Sequence, residues 1–305
     1  MHRIIARKTF IKYRTTSSLY RLRSTGFGTV PKAESATGKD YPRFRPQGDA
    51  ALVVEFGDRI DRAVSEKVYD LADAIAAAAI PGVAETVPSF RSLLVFYDPL
   101  ILDFAAAVVK VRALIGAGAA RHRKVRRVHM PACYDEEFGP DLAEAAQIAG
   151  LSREDAARLH ASVDYHVYML GFLPGFAYMG DVPDPLNLPR RKTPRVKVPA
   201  RSLAIAIGQT GIYPLESPGG WWLIGQVPVE LCDMAKSPPA LLAPGDLVRF
   251  CPVDRATFDA IRAEWTSGRG TVEIEDNIVV TPAKAGVQVD SRLRGNDARE
   301  GGGSS

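Results

Sequence analysis

The segment Tyr165-His-Val-Tyr-Met-Leu-Gly-Phe-Leu-Pro-Gly-Phe-Ala-Tyr-Met-Gly180 lies where the sequence pattern of the chain changes. Before it, apolar residues recur at helical spacing over long stretches; after it, short apolar runs alternate with glycine and proline. Short strands with frequent turns are typical of an irregular, barrel-like β domain, which we predict over residues 126–275. Its predicted strands cover residues 124–130, 167–170, 203–207, 222–224, 247–251 and 271–274, and its predicted helices cover residues 140–147, 152–160 and 256–265.

The residues before this domain predict a small layer of helices packed on strands. The predicted elements are a strand over residues 51–57, a helix over 60–75 that Pro81-Gly82 ends, strands over 83–87 and 92–97, and a helix from Pro99. This β-α-β-β-α order is that of a split βαβ unit in an α+β fold, here over residues 46–125.

Both ends of the chain lack apolar periodicity. Residues 1–45 are predicted to be a disordered basic leader, because eight Lys or Arg and no acid occur between Met1 and Ala33; a transit peptide is the alternative. Residues 276–305 are predicted to be a disordered tail. The leader accounts for the net charge of +4, so the charge does not indicate nucleic-acid binding.

The cysteine usage and hydropathy indicate a cytoplasmic protein. Cys133, Cys232 and Cys251 form no CxxC pair, which fits a reducing compartment and indicates neither a zinc knuckle nor a redox dithiol. No run of about 18 apolar residues predicts a membrane span. We therefore expect neither a membrane nor a nucleic acid as a partner.

Several chemical signatures are missing from the sequence. It has no GxxxxGK[ST] phosphate loop, no strand-linked GxGxxG and no GxSxG nucleophile elbow. His160 and His166 are six residues apart, a spacing that does not place them on one helical face. We therefore predict no metal site.

Three aromatic residues follow the change of pattern closely. Phe172, Phe176 and Tyr178 surround a Leu-Pro-Gly turn and are predicted to line a concave wall that binds substrate. The alternative is a packed hairpin with a buried aromatic cluster.

A basic strip lies between Pro185 and Leu215, which includes six Lys or Arg and no acid. Its prolines keep the backbone extended, which lowers the entropic cost of holding an anion. Arg190 and Arg195 are its candidate anion ligands, because a guanidinium binds a carboxylate or phosphate with two parallel hydrogen bonds. A solvated basic loop is the alternative.

Two glycine-bearing turns follow the strip and carry the other candidates. Their backbone N–H groups could form an anion-binding nest, with neutral side-chain donors beside them. The candidates are Gln209, Thr210, Gly211, Tyr213, Ser217, Gly219 and Gly220. Structural turns of a β barrel are the alternative.

Taken together, six ordered motifs resemble the family of 5-oxoprolinase B subunits, also called allophanate hydrolase subunit 1 or the sporulation kinase inhibitor family, which corresponds to carboxyltransferase subdomains C and D. The resemblance extends from about Arg45 to Glu275. The motifs are Pro131-Ala-Cys-Tyr-Asp-Glu-Glu-Phe-Gly-Pro-Asp-Leu142, Tyr168-Met-Leu-Gly-Phe-Leu-Pro-Gly-Phe-Ala-Tyr178, Pro189-Arg-Arg-Lys-Thr-Pro-Arg195, Val198-Pro-Ala200, Gln209-Thr-Gly-Ile-Tyr-Pro214 and Ser217-Pro-Gly-Gly-Trp221.

This resemblance implies a ferredoxin-like α/β sandwich followed by a cyclophilin-like β barrel. It implies a non-autonomous component that acts with subunits A and C to open 5-oxoproline, a small anionic cyclic amide, to L-glutamate. ATP with Mg²⁺ would be bound by the complex. We add the hypothesis that Arg190, Arg195 and Gln209 are catalytic, because charge that develops on the amide or phosphoryl group needs cations and donors.

The sequence departs from the family pattern at two positions. Arg201 replaces the usual glycine after Val-Pro-Ala, which costs stability if its φ is positive, and Gln226 replaces an arginine. Two other functions stay open at this point. One is a regulatory protein that inhibits a histidine kinase, and the other is a component of an allophanate or urea-type carboxyltransferase.

Overall fold

The computed structural model describes residues 40–116 and 125–278, which form a mixed α/β fold with three sheets. The strands are β1 (Arg43–Pro46), β2 (Ala51–Glu55), β3 (Val83–Pro88), β4 (Ser92–Tyr97), β5 (Val125–Ala132), β6 (Asp164–Leu170), β7 (Ala177–Gly180), β8 (Arg195–Val198), β9 (Ser202–Ala206), β10 (Gln209–Ile212), β11 (Ser217–Gly219), β12 (Trp222–Gln226), β13 (Leu247–Pro252) and β14 (Glu273–Ile278). The helices are α1 (Arg62–Ala78), α2 (Phe104–Leu114), α3 (Leu142–Ala149), α4 (Arg153–Ala161) and α5 (Arg255–Thr266), with a 3₁₀ turn over Asp184–Leu186.

The first sheet is antiparallel, in the order β1-β2-β4-β3. β2 and β3 pair with opposite sides of β4, so they run parallel to each other, and α1 connects them. This is the split βαβ arrangement that the order of elements predicts. The first strand starts at Arg43, inside the leader predicted over residues 1–45, whereas residues 1–39 lie outside the described residues.

Helix α1 shows how the sequence builds this layer. Its N-terminus forms at Asp61, whose carboxylate accepts a hydrogen bond from the Val64 N–H at 3.2 Å. Val68, Leu71 and Ile75 recur along one face and are buried in the core between the helices and the sheet. The periodicity that predicts the helix is therefore also the contact surface that stabilises it.

The helix also connects the first sheet to the second. The Tyr69 hydroxyl on α1 lies 2.8 Å from the carbonyl oxygen of Tyr168 and 3.0 Å from that of Val167, both on β6. Tyr69 is 1% exposed, so these carbonyl contacts are made away from water. The joint between the two layers is therefore polar and specific.

The second sheet has eight strands, in the order β12-β9-β10-β7-β6-β13-β5-β14. All neighbouring strands are antiparallel except β13 and β5, which run parallel. Within the described residues β12 and β14 are not paired, and one bridge between Cys133 and Gln226 joins β12 to the end of β5. The prediction of a barrel is therefore wrong for a closed barrel. The finer names, ferredoxin-like and cyclophilin-like, stay predictions.

Most predicted helices and strands are present close to their predicted bounds, with two informative differences. The strand predicted as exposed is β5, which lies between β13 and β14, with Val128 and Met130 fully buried. Its alternating basic and apolar residues mark the two faces of an inner strand. Helix α2 begins at Phe104 instead of Pro99, because the Asp103 carboxylate accepts a hydrogen bond from the Ala106 N–H at 2.8 Å.

Five strands are absent from the sequence prediction: β1, β7, β8, β10 and β11. Each has only three or four residues, too few for alternation to be visible. Four of them lie within residues 177–219, the stretch that holds most of the candidate site. At its C-terminus, β14 extends to Ile278, inside the tail predicted over residues 276–305, and residues 279–305 lie outside the described residues.

Candidate functional site

Five aromatic side chains, which we call the aromatic wall, contact one another around the turn between β6 and β7. They are Phe172, Phe176, Tyr178, Tyr213 and Trp221. The buried Phe176 ring is central, with its centroid 4.8 Å from that of Tyr178, 5.3 Å from Tyr213, 5.6 Å from Phe172 and 5.9 Å from Trp221. Tilted and edge-to-face contacts at these separations stabilise such clusters. The structure thus brings four predicted residues together and adds Trp221.

Phe172 is the exposed member of the aromatic wall. Its side chain is 59% exposed, and its backbone has a φ of +69°, a region that side chains other than glycine rarely adopt. A bulky residue at such a φ costs about 1 kcal/mol or more, and strain of this kind concentrates at ligand-binding sites. Exposure and strain together mark Phe172 as the position where a ligand meets the wall.

Two glycines of the predicted nest serve the packing of these rings. A Cβ atom on Gly211 would lie 2.8 Å from Cζ of Phe176, and one on Gly219 would collide with the Tyr213 hydroxyl. Glycine is therefore required for the backbone of β10 and β11 to lie against the rings. This corrects the prediction that Gly211 and Gly219 offer open N–H groups to an anion. Gly220 has a different contact, since its carbonyl accepts a hydrogen bond from the Arg191 N–H at 2.9 Å.

Arg190 places a positive charge beside the aromatic wall. It is exposed and forms no hydrogen bond or ion pair with the part of the chain that the structure describes. Burial raises the pKa of Tyr178 and raises that of Tyr213 to about 12, and the Arg190 charge opposes both shifts. Both phenols keep their protons at neutral pH, so they can donate hydrogen bonds near an available guanidinium.

Arg195 belongs instead to an ion-pair cluster, which we call the Asp141 hub. Its guanidinium donates to both carboxylate oxygens of Asp141, at 2.6 and 2.7 Å. Arg191 and the Leu223 N–H each donate to the same carboxylate at 2.8 Å. The Asp141 side chain is only 4% exposed, so these are buried, charge-assisted bonds. This corrects the prediction for Arg195, whose hydrogen-bonding fork is already occupied.

The residues on both sides of Arg190 are anchored. The Pro189 carbonyl accepts a hydrogen bond from Nε1 of Trp222 at 2.7 Å. Arg191 binds Asp141, and its guanidinium lies 4.7 Å from the centroid of the Trp222 ring. Arg190 is thus a cation with no partner among the described residues, on a backbone that is held at each neighbour.

Thr210 and Gln209 lie on the buried side of β10. The Thr210 hydroxyl is 3.1 Å from the Ala204 carbonyl oxygen and 3.0 Å from Nε2 of His160, and Thr210 is fully buried. This corrects the prediction that Thr210 binds substrate. Gln209 is 6% exposed, and no described residue hydrogen-bonds its side chain.

His160 fills the core beneath β10. Its Nδ1 lies 2.8 Å from the Tyr134 hydroxyl and its Nε2 contacts Thr210, so both ring nitrogens have partners. Burial lowers the pKa of His160 to about 3, and the imidazole is therefore neutral in the folded protein. This histidine stabilises the core of the fold.

Ser217 is the predicted binder with an unused polar atom. Its Oγ is buried and has no hydrogen-bond partner among the described residues. Buried polar atoms are nearly always paired, so an unused hydroxyl next to the aromatic wall indicates a place for a ligand or a water molecule. Ser217 lies opposite Val198, whose side chain packs against Phe176 and Tyr213 in one buried cluster.

Sequence reasoning missed the residues that act over long separations in the chain. Asp141 is part of a quoted motif, but nothing local indicates that it binds Arg195, 54 residues away. Phe90, in the turn between β3 and β4, has its ring 5.8 Å from that of Tyr178. Trp221 follows the Pro-Gly-Gly turn directly and was the one visible signal, since a tryptophan beside a site is a frequent ligand contact.

The described residues show no further site class. Within 40–116 and 125–278, no group of three or more His, Cys, Asp or Glu is placed to hold a metal ion. None of the helices found there is long and apolar enough to cross a membrane.

Comparison with known proteins defines the class first. Residues 42–242, more than half of the chain, match the family described as carboxyltransferase domain, subdomain C and D. The urea carboxylase of Kluyveromyces lactis shares the fold with a TM-score of 0.62 at 20% identity, over 76% of this chain and 24% of that one.

Two curated relatives narrow this class. The 5-oxoprolinase B subunit of Bacillus subtilis is 38% identical over 71% of this chain and 95% of its own length, and that of Escherichia coli O157:H7 is 39% identical over 67% and 93%. The chain therefore belongs to the family of 5-oxoprolinase B subunits. The crystal structure of TTHA0988 is 38% identical with a TM-score of 0.60, over 67% of this chain, which spans 40% of that one.

Arg201, which departs from the glycine expected in this family, has the strained backbone that the sequence raised as a condition. Its φ is +65°. Burial lowers the pKa of Arg201, and its guanidinium lies 3.5 Å from Glu230, a carboxylate that Arg262 binds at 2.6 Å. The side chain thus gains a weak ion pair while the backbone is strained.

Proposed function

We propose that this chain is the B subunit of an ATP-dependent 5-oxoprolinase and that it acts with subunits A and C to open 5-oxoproline to L-glutamate. The observation that carries the proposal is the identity of 38–39% with proteins of that name over 93–95% of their length. The two other functions are not favoured, because the urea amidolyase match has only 23% identity and covers 15% of that protein.

The aromatic wall and Arg190 suit a small anionic cyclic amide. Such a substrate has an apolar ring face and a carboxylate, and binding sites combine apolar walls with a few placed polar groups. The ring would lie against Phe172 and the carboxylate would bind Arg190. The Asp141 hub would contribute indirectly, by fixing the backbone that carries Arg190.

The reaction needs activation because the nitrogen of a lactam is a poor leaving group. ATP with Mg²⁺, when bound by the complex, would supply a phosphoryl group that activates the amide oxygen. This chain would orient the ring, and its Tyr178, Tyr213 and Ser217 hydroxyls would stabilise negative charge as it develops. No described residue cluster fits a metal ion, so we assign Mg²⁺ and ATP to the assembled complex.

Three finer proposals accompany this function. We propose a ferredoxin-like first layer and a cyclophilin-like second layer, in which the bridge between Cys133 and Gln226 would take the place of a closing ladder. A hetero-oligomeric state and a cytoplasmic location follow from the role of one component among three.

The function is tested by co-expressing the chain with subunits A and C. Glutamate release from 5-oxoproline is measured with and without ATP. We expect turnover by the complete, ATP-supplied complex and little by the isolated chain. Robust turnover by the chain alone would contradict the multi-component role, and an inactive complete complex would contradict the substrate.

A further inference from the structure

A cysteine, a histidine and a glutamate form a chain of contacts on the second sheet, away from the aromatic wall. Sγ of Cys251 on β13 lies 3.8 Å from Nδ1 of His129 on β5. Nε2 of the same imidazole lies 2.5 Å from a carboxylate oxygen of Glu275 on β14. The three side chains thus contact one another in series across three neighbouring strands.

The carboxylate determines which imidazole nitrogen faces the sulfur as an acceptor. An ionised Glu275 can only accept hydrogen bonds, and the bonds from His129 and Arg127 lower its pKa. In the neutral imidazole the proton therefore resides on Nε2, toward Glu275. Nδ1 is left with its lone pair toward Cys251, which is the orientation that a general base for a thiol requires.

The sulfur is reachable and has one competing acceptor. Cys251 is half-buried, and the side chains of His129 and Glu275 are 22% and 43% exposed. The Arg249 carbonyl oxygen lies 3.7 Å from the same sulfur. Burial raises the pKa of the Cys251 thiol, so its resting form is S–H and its reaction needs a base.

The charged groups that face this pair come from four strands. They are Arg127 on β5, Asp164 on β6, Arg249 on β13, and Glu273 and Glu275 on β14. Asp164 binds both arginines, at 3.0 and 2.8 Å, so most of this charge is paired within the sheet. The imidazole is thus held by a paired network while its Nδ1 stays beside the sulfur.

We propose that Cys251, His129 and Glu275 form a nucleophilic site at which the Cys251 sulfur reacts with small carbon electrophiles. In the reaction a carbon–sulfur bond forms and the thiol proton moves to Nδ1 of His129. With an alkyl halide the carbon–halogen bond breaks and the halide leaves with its electron pair. Glu275 stabilises the imidazolium that results. The site shares no residue with the aromatic wall, so it stands independently of the proposed function.

The chain provides its own controls for a test with iodoacetamide. Cys133 is fully buried, and Cys232 is half-buried with Sδ of Met234 at 3.9 Å as its side-chain contact. The full-length protein is alkylated for increasing times, and modification of each cysteine is quantified by mass spectrometry. We expect Cys251 to react faster than Cys232 and Cys133 to stay unmodified.

Variants at the base decide the mechanism. We expect His129→Asn to slow alkylation of Cys251 by about tenfold or more, with Cys232 unchanged, and Glu275→Gln to have a smaller effect. In the unmodified protein the rate at Cys251 should rise with pH through the titration of an imidazole as well as that of a thiol, a readout that needs no variant to fold. Equal rates at Cys251 in wild type and His129→Asn, or a pH profile of a thiol alone, would overturn the proposal.

Discussion

The Asp141 hub and the aromatic wall use the same basic strip in opposite ways. In the hub, Arg195 meets a buried carboxylate with two short bonds, and nothing is left to bind a ligand. At the wall, Arg190 has no partner among the described residues and its charge reaches two tyrosines. A single run of positive charge therefore contains one part that holds the fold and one part that is free to act.

The difference follows from where an acid lies in space. Asp141 precedes α3 and reaches Arg191 and Arg195 but not Arg190. Because both neighbours of Arg190 are fixed, its backbone stays in place without a bond from its own side chain. Pairing in the hub therefore preorganises the available cation at the wall.

The largest effect is expected from breaking the hub. Replacing Arg195 with alanine leaves the buried Asp141 with fewer partners and should lower the free energy of unfolding by about 3 kcal/mol. Arg190→Ala should change it by less than about 0.5 kcal/mol, because only an exposed side chain without a described partner is lost. Urea denaturation of both variants gives the two numbers, and similar losses would erase the distinction between hub and wall.

The core beneath the wall should make stability depend on pH. The folded His160 has its pKa lowered to about 3, so below pH 6.5 only the unfolded chain takes up this proton. Stability should therefore fall as pH falls, by about 1.4 kcal/mol per pH unit from this group, between about pH 6 and pH 4.

A matched variant assigns that slope to its residue. His160→Gln keeps a polar side chain at the same place but cannot titrate, and it should flatten the pH dependence by the stated amount. An unchanged slope in the variant would show that other groups cause it.

A smaller effect is expected at Phe172, where stability and function should separate. Phe172→Gly relieves the positive φ but removes contacts with two rings, and these effects offset each other to within about 1 kcal/mol. Turnover of the reconstituted complex should nevertheless fall about tenfold, since a ligand loses its apolar contact. Thermal unfolding and glutamate release are compared, and unchanged turnover would remove Phe172 from the site.

The smallest effect is expected outside both regions, at Arg201. Arg201→Gly should raise the free energy of unfolding by about 0.5 kcal/mol, because glycine adopts the φ of +65° without strain while only a weak ion pair is lost. Chemical denaturation measures the change. Destabilisation would mean that the contact with Glu230 outweighs the strain.

The sequence predicts long elements and local chemistry well, and distant contacts poorly. Helix α1 is visible because its apolar residues recur and Asp61 caps it, both within one stretch of chain. The aromatic wall is visible in part, because Phe172, Phe176 and Tyr178 lie within seven residues of one another. The roles of Arg195 and Thr210 depend on Asp141 and His160, each about 50 residues away in sequence, and only the folded chain shows them.

The open sheet gives the same lesson at the scale of the fold. Frequent turns and short strands predict a barrel, yet closure depends on whether the first and last strands of the sheet meet. One bridge at Cys133 and Gln226 takes that place, and no strand-length pattern in the sequence reports it.

The central claim is that Arg190 acts on the substrate from a position where it supports no part of the fold. The direct measurement is the rate of glutamate release from 5-oxoproline by the reconstituted complex carrying Arg190→Ala, with Arg190→Lys as the matched control for charge. We predict that kcat/KM falls about tenfold to a hundredfold for alanine, as a charged hydrogen bond is lost, with partial recovery for lysine and unchanged thermal unfolding. Full activity of the alanine variant would contradict the account.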